Sequence, residues 1–354
     1  MEKNQAPSLS AQDSEYVNYL KGASILRVVL VHLGLSWAYL PYSSYIGIFL
    51  PVLFFCSGFI CISLFLKRKT TKAYLIKALI GCVTPFYLIY ILSLAVKSTF
   101  AEVDLSVEHL FRVILLSPSS DQMPYPLGQI WYLRVLLFCL ILSPLIFTIS
   151  ANKHYLILIP AITGLALSSF QFFIPFGKEL NFFGHSFFQE LVYSSYFFIG
   201  AYCFLIDWRK KLRGITYLFG ICILGLLAII SLTNTSNNLS DHAYYPDIYY
   251  FLFGLVGVLL CLLSANIVQP LISHLSLLKV ILNYFARHSY GIFLIHSLLI
   301  VATEEFFGWK DIGENWHIAL FKIATVVIGS MLLAYPITLT SKKIGSLIFN
   351  AVKA

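Results

Sequence analysis

The chain has 354 residues, of which 59% are apolar and only 11% charged, and its mean hydropathy is +0.82. A soluble globular domain carries about 25% charged residues, so the composition excludes an ordinary water-soluble protein and defines a polytopic membrane protein. The net charge of +8 is explained below by topology and calls for no nucleic-acid partner.

Residues 1–18 are polar and precede no small-residue cleavage site, so they read as a cytoplasmic tail and not as a removable signal peptide. Ten mostly apolar runs near the 20-residue spanning length follow, at 20–40, 44–66, 74–97, 129–149, 154–175, 187–207, 215–232, 247–266, 279–303 and 316–340. They are continuous and not alternating, which excludes a β-barrel. The expected fold is all-α: a bundle of about ten transmembrane helices, forming a single integral membrane domain over 1–354.

The first span, "YLKGASILRVVLVHLGLSWAYL", holds Lys21 and His32. Their spacing is three helical turns, about 16 Å of rise, and both side chains point the same way. Arg27 lies on a different face. Two simpler readings stand beside a functional one: Lys21 snorkelling to headgroups, and His32 hydrogen-bonding a neighbouring helix. After the second span, "KRKTTKAYLIK" brings Lys72 and Lys77; after the sixth comes "DWRKKLR". Placing these loops inside makes most basic residues and both termini cytoplasmic. The outer loop 98–128 contains the amphipathic "VEHLFRVILL", suited to the interface, then the turn-rich "SPSSDQMPYPLG". The outer stretch 233–247, "TNTSNNLSDHAYYPD", is polar without a basic residue.

In the fourth span, "IWYLRVLLFCLILSPLI", Trp131 and Tyr132 form an aromatic anchor, and Arg134 a turn deeper points to a polar interior. In the ninth, "ARHSYGIFLIHSLLI", Ser289 and His296 share one face, and Arg287 shares another with Asn283. Arg287 and His288 sit near the cytoplasmic end, where Arg287 can also snorkel. The seven cysteines lie in apolar runs without metal-type spacing and read as small buried hydrophobes. No acidic residue is expected deep in a span, which disfavours transport coupled to buried carboxylates. A basic track leads from the cytoplasm to one or two histidines, natural proton acceptors near neutral pH.

Three segments carry a resemblance. "LKGASILRVVLVH", "IWYLRVLLFCLILSPL" and "RHSYGIFLIH" are similar, in order, to motifs of the acyltransferase-3 family of membrane acyltransferases, which includes bacterial O-acetyltransferases of surface polysaccharides. The likeness runs the whole chain. It implies a bacterial inner-membrane enzyme with an acyl-CoA donor, usually acetyl-CoA, and no bound cofactor or metal. The implied acceptor is a hydroxyl of an extracytoplasmic surface polysaccharide or its lipid-linked precursor.

His32 takes the place of the family's essential histidine, as general base or acyl carrier. Arg134, or Ser289 with His296, stands for the oxyanion. Lys21 stands where the family normally has arginine, and lysine lacks the planar bidentate contact to phosphate. Arg27 is the candidate to compensate; Lys72 and Lys77, ahead of Pro85, and Arg287 complete the acyl-CoA set. With the chain stopping at Ala354, the extra extracytoplasmic domain of some members is expected to be absent. Two alternatives remain: an exporter of a polysaccharide or lipid-linked sugar, and the same chemistry on peptidoglycan or lipid A.

Overall fold

The computed structural model describes residues 10–35, 42–67, 70–99, 102, 106–114, 130–177, 179, 181–182, 185–233, 235–309 and 315–353. Among them are twelve α-helices. The first six are α1 (Ala11–Leu30), α2 (Phe49–Leu66), α3 (Thr71–Lys97), α4 (Val107–Ile114), α5 (Ile130–Ile149) and α6 (Ile159–Phe173). The others are α7 (Phe188–Leu205), α8 (Leu212–Leu232), α9 (Ile248–His274), α10 (Ser276–Arg287), α11 (Ser289–Phe307) and α12 (Trp316–Lys353). A two-residue antiparallel pairing, β1 (Asn181–Phe182) with β2 (His185–Ser186), is the one sheet among the described residues. The all-α membrane fold expected from the apolar runs is the fold observed.

Eight helical segments are long and apolar enough to cross a membrane. The sixth expected span and the described part of the first, whose residues 36–40 lie outside the described residues, form helices but are not among the eight. α1 carries Asp13, Glu15, Lys21 and Arg27, and α7 opens with Gln189 and Glu190, both buried. Protein packing on these two helices replaces lipid. Three boundaries differ from the apolar runs. α1 begins at Ala11, where the Ser10 hydroxyl caps the Asp13 amide at 2.9 Å, and ends in a π-helical turn, Val31–Leu35, that holds His32. The ninth span is two helices, broken at His288. α12 continues well past residue 340, to Lys353. Residues 107–114 are helical as the amphipathic pattern indicated, while the following 115–129 lie outside the described residues.

Close packing is set by glycine. Without a hydrophobic force between helices in lipid, small residues let backbones approach. α2 and α7 cross on a reciprocal pair: a Cβ at Gly58 would collide with the Phe197 carbonyl, and one at Gly200 with the Phe55 carbonyl. Gly22 likewise lets α1 meet the Leu282 carbonyl of α10.

At the end of the bundle where α1 begins, charge fixes the assembly. Arg209 contacts Asp13 at 2.5 Å and donates to Asn266 at 2.8 Å and Gln269 at 3.0 Å. Glu15 pairs with Lys279 at 2.8 Å. The hydrogen bond from Lys279, then that from Tyr19, holds the Glu15 carboxyl below the ordinary carboxylate range. On the opposite side, Asp247 caps α9 through the Tyr250 amide at 3.0 Å and binds His242 at 2.6 Å. Burial alone would lower the His242 pKa, but Asp247, the Ser236 carbonyl and Asp241 together raise it.

The glycine pair gives a stability prediction. Gly58→Val and Gly200→Val each force backbone apart at a crossing with no slack. Each is expected to cost about 3 kcal/mol or more and to abolish a monodisperse peak on size exclusion in detergent. Gly214→Val, where a Cβ meets open space, is expected to leave the peak intact.

Candidate active site

A cavity of about 530 Å³ opens among α3, α10, α11 and α12, lined by Lys21, Lys77, Arg287 and Lys342. Its size falls within the roughly 300–1,000 Å³ of ordinary ligand pockets. A smaller chamber of about 150 Å³ adjoins it; Lys21, Gly81, Ser289 and Tyr290 line both. The chamber extends to Tyr132 and Phe293, whose rings lie 4.8 Å apart. Phe293 in turn lies 6.0 Å from the His296 ring. A wide cationic mouth thus narrows to an aromatic wall with histidine against it.

The break at His288 builds the mouth. It starts α11 at Ser289, so the N-terminal turn Ser289, Tyr290 and Gly291 forms part of the cavity wall. A helix N-terminus directs partial positive charge at an anion. His288 reaches Thr338 of α12 at 3.2 Å, and the Tyr290 hydroxyl donates to the Cys82 carbonyl of α3 at 2.7 Å. Both bonds hold the cavity walls in place. The Ser341 hydroxyl is buried at the cavity with no partner among the described residues.

His32 and His296 meet directly. His32 Nδ1 lies 2.8 Å from His296 Nε2, the rings edge to edge with centroids 5.1 Å apart and 9° between planes. His296 Nδ1 lies 3.1 Å from the Ile292 carbonyl. His32 is partly exposed and His296 fully buried. Both nitrogens of His296 are therefore occupied, and neither is free to donate to an oxyanion with Ser289 as expected. Arg27, from the helix above Lys21, is within electrostatic range of His32 and lies near the Tyr193 and Tyr250 hydroxyls.

The buried cations fall into two groups. Lys322 is buried, at 2.6 Å from Glu304, and it also donates to the Trp309 carbonyl at 2.8 Å. Arg134 pairs with Glu190 at 3.4 Å and, like His32, His296 and Arg27, lines neither cavity; Arg134 Nε and Nη1 are buried without a partner among the described residues. Its partner was missed because Glu190 lies near the start of its span, where a carboxylate reads as interfacial. By contrast, Lys21 and Arg27 have neither a carboxylate nor a hydrogen-bond partner among the described residues.

Of the residues singled out from sequence, the structure brings Lys21, Lys77, Arg287 and Ser289 to one cavity, and His32 to His296. Lys72, exposed in the first turn of α3, and Arg27 do not line it. Lys342, Ser341 and His288 were not among the expected site residues. The signal for Lys342 was present: "SKKIGSLIF" keeps apolar residues three and four apart, the pattern of a helix that continues.

The fold and these cavities define a multi-pass membrane protein with an open cavity edged by cationic side chains. Compared with known families, residues 14–335 match the acyltransferase-3 family, described as an acyltransferase domain. The chain belongs to that family, and it is a membrane acyltransferase. No curated protein and no solved structure matches it.

The Arg134–Glu190 pair gives a second prediction. Arg134→Gln strands a buried carboxylate and is expected to cost roughly 3–5 kcal/mol, read as a fall in melting temperature in detergent. Adding Glu190→Gln is expected to restore much of the loss. If Arg134→Gln alone abolishes transfer at unchanged stability, the pair has a chemical role instead.

Proposed function

We propose that the protein transfers an acyl group, acetyl first among candidates, from cytoplasmic acyl-CoA to a hydroxyl of an extracytoplasmic glycan. The observation that carries this reading is the cationic cavity whose inner chamber ends at Phe293, 6.0 Å from the His296 ring that meets His32. Its mouth suits the phosphates of coenzyme A: Lys77, Arg287 and Lys342 supply charge, Ser341 a spare hydroxyl, and α11 a helix N-terminus. The narrower chamber past Lys21 suits the pantetheine arm. The lysine- and arginine-rich loops at this end support a cytoplasmic orientation, with both termini on that side.

In the reaction, His32 takes the proton from the acceptor hydroxyl as its oxygen attacks the thioester carbonyl carbon. The C–S bond then breaks, and the departing sulfur receives that proton, giving the O-ester and free coenzyme A. Arg27 Nε, or Arg134 through its unpartnered Nε and Nη1, supports the developing oxyanion. The acceptor is a surface polysaccharide or its lipid-linked precursor, arriving from the side opposite the cavity mouth.

Mass spectrometry of the host's surface glycans tests the reading. A deletion strain, and the deletion complemented with His32→Ala, are each expected to display the glycan without one acyl group. A deletion that fails to display the glycan at all would overturn transfer in favour of export. In membrane vesicles, Lys342→Ala or Arg287→Ala is expected to raise the KM for acetyl-CoA by about 10–100-fold, the loss of one charged hydrogen bond, with little change in kcat.

A further inference from the structure

The hydrogen bonds around the two histidines fix where their protons sit. A backbone carbonyl only accepts, so the bond between Ile292 O and His296 Nδ1, at 3.1 Å, requires a proton on that nitrogen. Neutral His296 then has a bare Nε2, which can only accept. Its partner at 2.8 Å, His32 Nδ1, must therefore donate. The remaining nitrogen of His32, Nε2, is left without a proton. Which ring nitrogen carries a proton is set by the bond the other makes, and here two successive bonds settle both rings from one main-chain carbonyl.

We infer that His296 is a positioning residue that locks His32 into the Nδ1–H tautomer, so that Nε2 of His32 is the base. The inference rests on the reading of His32 as general base given above. His296 is 0% exposed and both its nitrogens are occupied, so it touches neither substrate and acts only through His32. The rings lie edge to edge along this bond and nearly coplanar, 9° between planes, so the bond is well aligned and rotation of the His32 imidazole would break it. When His32 Nε2 takes the hydroxyl proton, the imidazolium still donates Nδ1–H to His296. The proton does not pass on, because that would move the positive charge from partly exposed His32 onto fully buried His296, where loss of solvation opposes it. It returns from Nε2 to the departing sulfur.

The arrangement also separates the two histidines' tolerance to change. At position 296 the function needs a buried acceptor at the site of Nε2. Glutamine reaches that site with its terminal amide, whose oxygen accepts the His32 proton. Alanine offers nothing there.

Nitrogen NMR of the full-length protein in detergent micelles, labelled with ¹⁵N-histidine, tests the lock directly. His32 and His296 signals are assigned by their loss in His32→Gln and His296→Gln. Wild-type His32 is expected to show a protonated Nδ1 and a bare Nε2. In His296→Ala the proton is expected to be shared between the two nitrogens. Transfer from [acetyl-¹⁴C]acetyl-CoA to envelope material in vesicles supplies the second readout. His296→Ala is expected to lower kcat by about 10²–10³-fold with the KM for acetyl-CoA unchanged, and His296→Gln to recover all but about tenfold of it. A wild-type His32 protonated on Nε2 overturns the inference, and so does a His296→Ala enzyme with wild-type kcat. If His32→Ala keeps wild-type transfer, the base assignment itself fails, whatever the NMR tautomer.

Discussion

An unpaired cation inside an apolar bundle is the constraint on which the rest of this structure turns. Insertion scales put a charge at mid-membrane at roughly 2.5–3.5 kcal/mol, and the protein answers that cost at two of the cations within its bundle. Glu304 and the Trp309 carbonyl take Lys322, and Glu190 takes Arg134. Lys21 and Arg27 receive no such answer among the described residues. Both lie on α1, at different depths, one beside the cavity junction and the other near His32. In the proposed reaction, these two unmatched cations on one helix are where the donor and the developing oxyanion bring negative charge.

The shape of the cavity follows from the two helices that depart from simple spans. Had residues 276–307 formed one continuous helix, the Ser289 turn would be helix interior and its amides would face their own carbonyls. Breaking at His288 frees that turn to form a wall, while α10 packs alongside α1 through the Glu15–Lys279 and Gly22–Leu282 contacts. α12 then overhangs the same space by running on to Lys353, which is how Ser341 and Lys342 arrive there. Local chain geometry, more than added residues, converts a helix bundle into a site with a mouth.

The sequence was most legible where one helix carries the whole message. The spacing of Lys21 and His32 along α1, and that of Ser289 and His296 along α11, can be read from helical periodicity alone, and all four meet the cavity or the histidine pair. The overall bundle was legible for the same reason, since an apolar run reports its own surroundings. What could not be read were relations between helices. Arg134 finds Glu190 on α7, and nothing along α5 announces that contact. The division of the ninth span did leave a trace: Lys279, Asn283 and Arg287 recur every four residues, a polar stripe proper to an amphipathic interfacial helix. The apolar total of the window concealed it. The second role of His296 was invisible in principle, because it depends on which nitrogen faces which partner.

Lysine at position 21, where arginine is usual in the family, is consistent with this geometry. A guanidinium earns its advantage where two phosphate oxygens can be gripped at once. At the broad mouth, Arg287 is available for that contact. Lys21 stands further in, where the 530 Å³ cavity gives way to the 150 Å³ chamber. In the proposed reaction, bidentate recognition of phosphate falls to Arg287 on α10, and Lys21 supplies a compact ammonium beside the path of the pantetheine arm.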